Sequence, residues 1–191
     1  MTRFLITASA TVTAVALIAL AGCKSMSEEK KPIVAIAEMM PTTAAAAANL
    51  AATGTVTLTQ LGTNRVLVKA EIRGLKPFSE HGFHIHTVPD CSGNAVGTGA
   101  HFNPDGNPHG DPSHVLRHAG AMLNIKTDAA GLGTTRQEVD TISLGSDKYS
   151  VIGLPIVTTR DRDDYVSQPL GNSGPRVSCG VIKLVPTATP K

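Results

Sequence analysis

Short stretches in which apolar and polar residues alternate recur along most of this chain, and outside the apolar N-terminus no long helical period appears. Eight such runs stand out: Ile33 to Met39, Gly54 to Gln60, Arg65 to Ile72, Gly82 to Thr87, Ala119 to Lys126, Thr135 to Val139, Tyr149 to Ile152 and Val177 to Leu184. Successive side chains on an extended backbone point to opposite faces, so each run reads as a strand with one face buried. Turn chemistry separates them, as in Leu61-Gly62-Thr63-Asn64, Asp128-Ala129-Ala130-Gly131 and Leu144-Gly145-Ser146-Asp147. The pattern predicts an all-β domain, an eight-stranded Greek-key sandwich or barrel. Ala44 to Ala48 reads either as one helical turn or as a flexible connection. Two long connections, Val88 to His118 and Thr159 to Arg176, lack strand character, and loops of that size in a compact domain are usually functional.

The first of these connections carries most of the candidate chemistry. In the run His81-Gly82-Phe83-His84-Ile85-His86, residues two apart share a side of the strand, so His84 and His86 offer parallel nitrogen ligands while Phe83 and Ile85 face the other way. His101, His109 and His118 follow, which places five imidazoles within thirty-five residues. Imidazole suits copper and zinc, whereas calcium and magnesium call for carboxylates. Asp128 to Gly131 lacks the spaced carboxylates of a calcium loop. His81 has the opposite parity from His84 and His86 and reads as a structural, hydrogen-bonded histidine; Asp111, next to Pro112, reads as a turn residue.

Charge and composition exclude some partners. The formal net charge is +2, and no basic cluster or row of aromatics points to nucleic acid. Tryptophan is absent, which disfavours a stacking or carbohydrate site. At the N-terminus, Arg3 precedes the apolar or small stretch Phe4 to Ala21, which ends in Leu20-Ala21-Gly22-Cys23. That pattern reads as a bacterial lipoprotein export signal over residues 1–22, cleaved before a lipidated Cys23, with an uncleaved membrane span as the rival reading. Residues 23–32 then form a lipidated tether, 33–186 the folded domain and 187–191 a tail. The protein is accordingly expected on the extracytoplasmic face of the cell envelope, in the periplasm of a two-membrane cell, with acyl chains anchoring it to the membrane. With Cys23 acylated, Cys91 and Cys179 remain, and an exported chain with one cysteine pair is expected to oxidise it; a thiolate metal site is the weaker alternative, since neither has a second cysteine nearby.

The segments HGFHIHTVPDC, GAHFNP, HGDP, RHAGAMLNI and GNSGPRVSCGVI, in that order, resemble the copper,zinc superoxide dismutase family over about Pro32 to Pro186. That family is itself a known instance of the β-sandwich and of electrostatic steering, so both enter as its expectations. The resemblance implies a superoxide dismutase-like domain in which His84, His86 and His101 hold copper and His101, His109 and His118 hold zinc, with His101 bridging. It implies that Arg176 draws in the superoxide anion, that His101 takes part in catalysis, and that Asp163 ties the copper and zinc histidines together from the outer shell. It also implies a Cys91–Cys179 bridge pinning the long metal loop to the last strand, and leaves a homodimer open. Left open too are a plain solvated role for Asp163 and a surface ion pair of Arg176 with Asp163 or Asp164. Two positions depart from the pattern: Thr159 stands where the family has its fourth copper histidine, and Ala121 where it has the zinc aspartate. His114, which matches nothing in the pattern, is a candidate to replace the missing zinc carboxylate. The expected function is conversion of superoxide to oxygen and hydrogen peroxide at a copper site. A non-catalytic copper- or zinc-binding lipoprotein on the same fold is the alternative that Thr159 and Ala121 favour.

Overall fold

The computed structural model describes residues 31–186; the signal, Cys23, most of the tether and the tail lie outside the described residues. Ten strand segments form one sheet: β1 Val34–Pro41, β2 Thr53–Gly62, β3 Arg65–Arg73, β4 Glu80–His81, β5 Phe83–Ile85, β6 Ile125–Thr127, β7 Gly133–Val139, β8 Pro155–Thr159, β9 Arg176–Val181 and β10 Lys183–Leu184. Their order is β4-β6-β7-β3-β2-β1-β9-β8-β5, with β10 also paired to β1. The path starts at β4 and ends at β5, which Gly82 alone separates in sequence, so the sheet curls back on itself as a barrel. Counting β4 with β5 and β9 with β10 as interrupted strands gives eight, the number that the sequence predicts, though not the same eight runs. All the pairings are antiparallel, and the β6–β7 hairpin inserts between β3 and β4 in the Greek-key manner.

Alternation explains the barrel wall. Val56 and Leu58 on β2 and Val66, Val68, Ala70 and Ile72 on β3 point inward and are buried, as are Ala35, Ala37 and Met39 on β1. At roughly 25 cal/mol per Å2 of apolar surface removed from water, this interior is the main stabilising contribution. β1 pairs with β2 through Met39, then turns at Met40 and Pro41 to pair with β9.

Three boundaries differ from the sequence reading. Tyr149 to Ile152 is not a strand; Val151 is buried, but Asp147 accepts the backbone N–H of Tyr149, and the segment is a loop capping the core. Ala119 to Lys126 is strand only from Ile125; before it, Gly120 accepts from Ile85 at the end of β5 and donates to Phe102 of the metal loop, which makes isolated contacts and no continuous ladder. Pro155–Thr159 is a strand that alternation does not reveal, since all five residues are buried. The alanine-rich segment forms a short helix, α1 Thr43–Ala47, whose N-cap Thr42 accepts from the N–H of Ala45.

The two long connections lie over the β5–β8–β9 side of the barrel. A disulfide joins Cys91 in the first to Cys179 on β9, with Cα atoms 5.6 Å apart. Ala95 and Val157 pack against this bridge in a small apolar cluster of their own. Among the described residues no helix is long and apolar enough to cross a membrane.

Candidate metal centre

β5 presents His84 and, one step past its end, His86; His86 forms an isolated bridge with His101 from the first long loop. The loop then supplies His109 and His118. Two sets result: one ligand nitrogen each from His84, His86 and His101 lie within 4.8 Å of one another, as do those of His101, His109 and His118. His101 belongs to both. Its ring stacks on that of His84 at 3.9 Å between centroids, and its Nδ1 lies 3.2 Å from Nδ1 of His118.

Asp163, from the second long loop, is buried between the two sets. Its Oδ2 lies 2.6 Å from Nε2 of His84 and its Oδ1 2.9 Å from Nε2 of His109. With those N–H groups donated to the carboxylate, the lone pairs of His84 Nδ1 and His109 Nδ1 face inward. His86 donates Nδ1–H to the carbonyl of Gly99 at 3.0 Å, which leaves Nε2 as its free nitrogen. His84 Nδ1, His86 Nε2 and His109 Nδ1 are all buried without a hydrogen-bond partner. An unsatisfied buried polar atom costs roughly 1–3 kcal/mol, and several converging ones are what a bound cation resolves. The donor set therefore fits a transition metal of the copper or zinc type.

The electrostatics keep His84, His86, His101 and His118 unprotonated. Burial lowers the pKa of His84, although the hydrogen bond and charge of Asp163 oppose it. His86 is lowered to about 3, first by burial and then by the positive charge of Arg176. His101 is lowered by burial and by its four histidine neighbours. His118 is lowered to about 4, again mainly by burial. Burial pushes Asp163 upward, but the hydrogen bonds from His109 and His84 outweigh it and hold the carboxyl below its ordinary range.

The supports of Asp163 come from residues that the motif reading did not single out. Asn124 accepts from the N–H of Asp163 at 2.9 Å and donates its amide to the Asp163 carbonyl at 2.9 Å. Tyr165 donates its N–H to Oδ1 at 2.7 Å. Gly171 has φ +68°, and a Cβ there would stand 1.8 Å from Oδ1 of Asp163 and 2.7 Å from Nε2 of His109, so only glycine fits. Asn124 and Gly171 both fall inside quoted motifs, but nothing in their spacing shows which atom they support.

Arg176 opens β9. It donates Nη1 to the carbonyls of Ala95 (2.7 Å) and Val96 (2.9 Å) and to the hydroxyl of Thr98 (2.8 Å), and Nη2 to the carbonyl of Gly99 (2.7 Å). Among the described residues it makes no ion pair with Asp163 or Asp164, so the surface-pair reading does not hold. Gly99 is thus the common acceptor for Arg176 and His86. The solvated reading of Asp163 likewise fails, because Asp163 is 1% exposed.

The two departing positions lie beside this cluster. Thr159, at the end of β8, is buried, donates its hydroxyl to the carbonyl of Asp161 at 3.0 Å, and accepts His81 Nδ1 at its own carbonyl at 2.9 Å. His81 is buried, with Nε2 unpartnered, and belongs to neither ligand set. Ala121 forms an antiparallel bridge with His84, so both side chains lie on one face of the sheet. His114 is exposed and joins neither set, so it does not replace the missing carboxylate. Asp111 accepts the N–H and hydroxyl of Ser113, as a turn residue does.

An antiparallel barrel with two long loops closing over five buried imidazoles defines a class of β-barrel proteins able to hold transition metals between loop and wall. Within that class, the chain belongs to the copper/zinc superoxide dismutase family: the model of that family, Copper/zinc superoxide dismutase (SODC), matches residues 52–182. A solved structure described as that of the clock protein EA4 is similar as well, at 37% sequence identity and a TM-score of 0.70, covering 81% of this chain and 96% of that one.

Proposed function

We propose that this protein is a superoxide dismutase of the cell envelope, with copper held by His84, His86 and His101 and zinc by His101, His109 and His118. Copper, when bound, supplies one-electron chemistry in which one superoxide leaves as oxygen and a second, with two protons, as hydrogen peroxide. The remaining tasks fall to the chain. Asp163 fixes the tautomers of His84 and His109, so that their free nitrogens face the metals. Gly99 orients His86 and Arg176 through one carbonyl. Arg176, always charged and held beside His86, attracts the superoxide anion to the copper set. His101, a member of both sets, holds or yields a proton at its ring nitrogen.

The observation that carries this reading is the Arg176–Gly99–His86 linkage, a permanent positive charge anchored against the copper set. Metal storage alone has no need of it. The test is superoxide turnover by the metal-loaded full chain across ionic strength, with copper content measured alongside. Turnover should depend on copper, fall as salt rises, and drop at least about tenfold in Arg176→Ala with copper content retained, since steering is worth roughly 10–1,000-fold. Copper held without turnover would favour the second reading, a non-catalytic copper or zinc carrier, which Thr159 and Ala121 support. Placement on the extracytoplasmic face through a lipidated Cys23 rests on the N-terminal sequence, and the mass of the mature N-terminus tests it.

A further inference from the structure

Resting on the reading that His84, His86 and His101 hold copper, we infer that the copper half of this site selects the cuprous over the cupric ion, because Thr159 adds no fourth nitrogen to the three imidazoles. Three imidazole nitrogens converge there, and two of them, His84 Nδ1 and His86 Nε2, are buried without partners. The hydroxyl of Thr159, which donates its proton to the Asp161 carbonyl, is a neutral oxygen and a much weaker copper donor than an imidazole nitrogen. The backbone around it is fixed too: Thr159 N–H donates to Gly82 and Gly82 N–H to Asp161, both at 2.9 Å. The space at Gly82 is filled as well. A Cβ on Gly82 would stand 2.4 Å from Thr159 Oγ1, 3.0 Å from Cβ of Ser173 and 3.1 Å from Cε1 of His84. Thr159, Ser173 and the edge of His84 thus pack around Gly82, which places the side chain at position 159 beside a copper ligand.

The two oxidation states of copper respond differently to this arrangement. Cupric copper prefers four or more donors in a tetragonal field. Cuprous copper, with a filled d shell, is satisfied by three nitrogens. Losing one strong donor therefore weakens the cupric complex more than the cuprous one and raises the reduction potential.

The test titrates the metal-free full chain anaerobically with Cu(I) against a chromophoric chelator and, separately, with Cu(II), in native protein, Thr159→His and Thr159→Ala. The ratio of Cu(I) to Cu(II) affinity should fall roughly 10–100-fold in Thr159→His, the usual worth of a metal-site partner. At about 59 mV per tenfold for one electron, the potential then falls by roughly 59–118 mV. Thr159→Ala, which leaves the count of nitrogens alone, should keep the native ratio. A loss of Cu(II) affinity of tenfold or more in Thr159→Ala would show that the hydroxyl ligates and would overturn the inference. Equal affinity of the native chain for both ions would overturn it while leaving the dismutase reading in place. Failure to retain copper in either state would sink both.

Discussion

At the scale of single residues, the two positions that leave the family pattern belong to different metals in the proposed site and can be separated. Ala121 faces His84 across an antiparallel bridge and is 2% exposed, so its side chain lies beside the cluster and out of bulk water. A methyl group there offers zinc nothing, and His114 is too far out on the surface to compensate. Ala121→Asp should restore an oxygen donor and raise zinc affinity at least about tenfold, as read by competition with a chelator. In the metal-free protein the same change buries a carboxylate at a position only 2% exposed and should lower the melting temperature. Unchanged zinc affinity would remove position 121 from the zinc site. The histidines themselves were legible in the sequence because two of them sit at strand spacing and the rest in quoted motifs. Gly171, Asn124 and the carbonyl of Gly99 were not, because their work is done by a missing Cβ, an amide and a backbone oxygen, which residue type alone does not advertise.

At the scale of elements, alternation revealed β1, β2 and β3, whose inner faces are core and whose outer faces are wet or half-wet. It missed β8, because Ile156 packs into the barrel while Val157 on the opposite face is covered by the first long loop, leaving no polar face to mark the period. It overread Tyr149 to Ile152, where apolar residues plug the core from a loop. The disulfide matters at this scale because it couples a loop to a strand. Cys91 and Cys179 are 88 residues apart, for which loop closure gives about 4.5 kcal/mol in the chain-entropy model. The same loop carries the carbonyls of Ala95, Val96 and Gly99 that hold Arg176 and His86. The variant Cys91→Ser should therefore lose about 2–5 kcal/mol in denaturant unfolding and also lose superoxide turnover beyond any loss of copper. A variant that is destabilised yet turns over normally would show that the bridge supports the barrel and not the placement of Arg176.

For the whole molecule, the cluster makes stability depend on acidity in a direction that burial sets. His86 and His118 titrate near 3 and 4 in the folded protein, and His84 and His101 are also lowered, against about 6.5 in the unfolded chain. Between those values the unfolded chain binds protons that the folded one refuses, so stability is complete above about pH 6.5 and falls as pH drops toward 4. Asp163 acts in the same sense, since its lowered carboxyl pKa favours the folded state above the ordinary carboxylate value and loses that contribution at lower pH. Each histidine adds a slope of up to about 1.4 kcal/mol per pH unit, so the metal-free melting temperature should be flat from pH 7 to 8 and decline steeply from 6.5 to 4. Bound metal adds to this stability, by roughly 2.7 kcal/mol at a free concentration 100 times its Kd, and competes with protons for the ligand nitrogens only once the folded histidines titrate. Loaded protein should therefore melt higher than the metal-free form from pH 7 down, and the two curves should converge only below about pH 4, where His118 and then His86 take up protons. Calorimetry of both forms across that range decides it: a metal-free melting temperature indifferent to pH between 6.5 and 4 would mean that the imidazoles are not held neutral together, and the case for a shared buried metal centre would go with it.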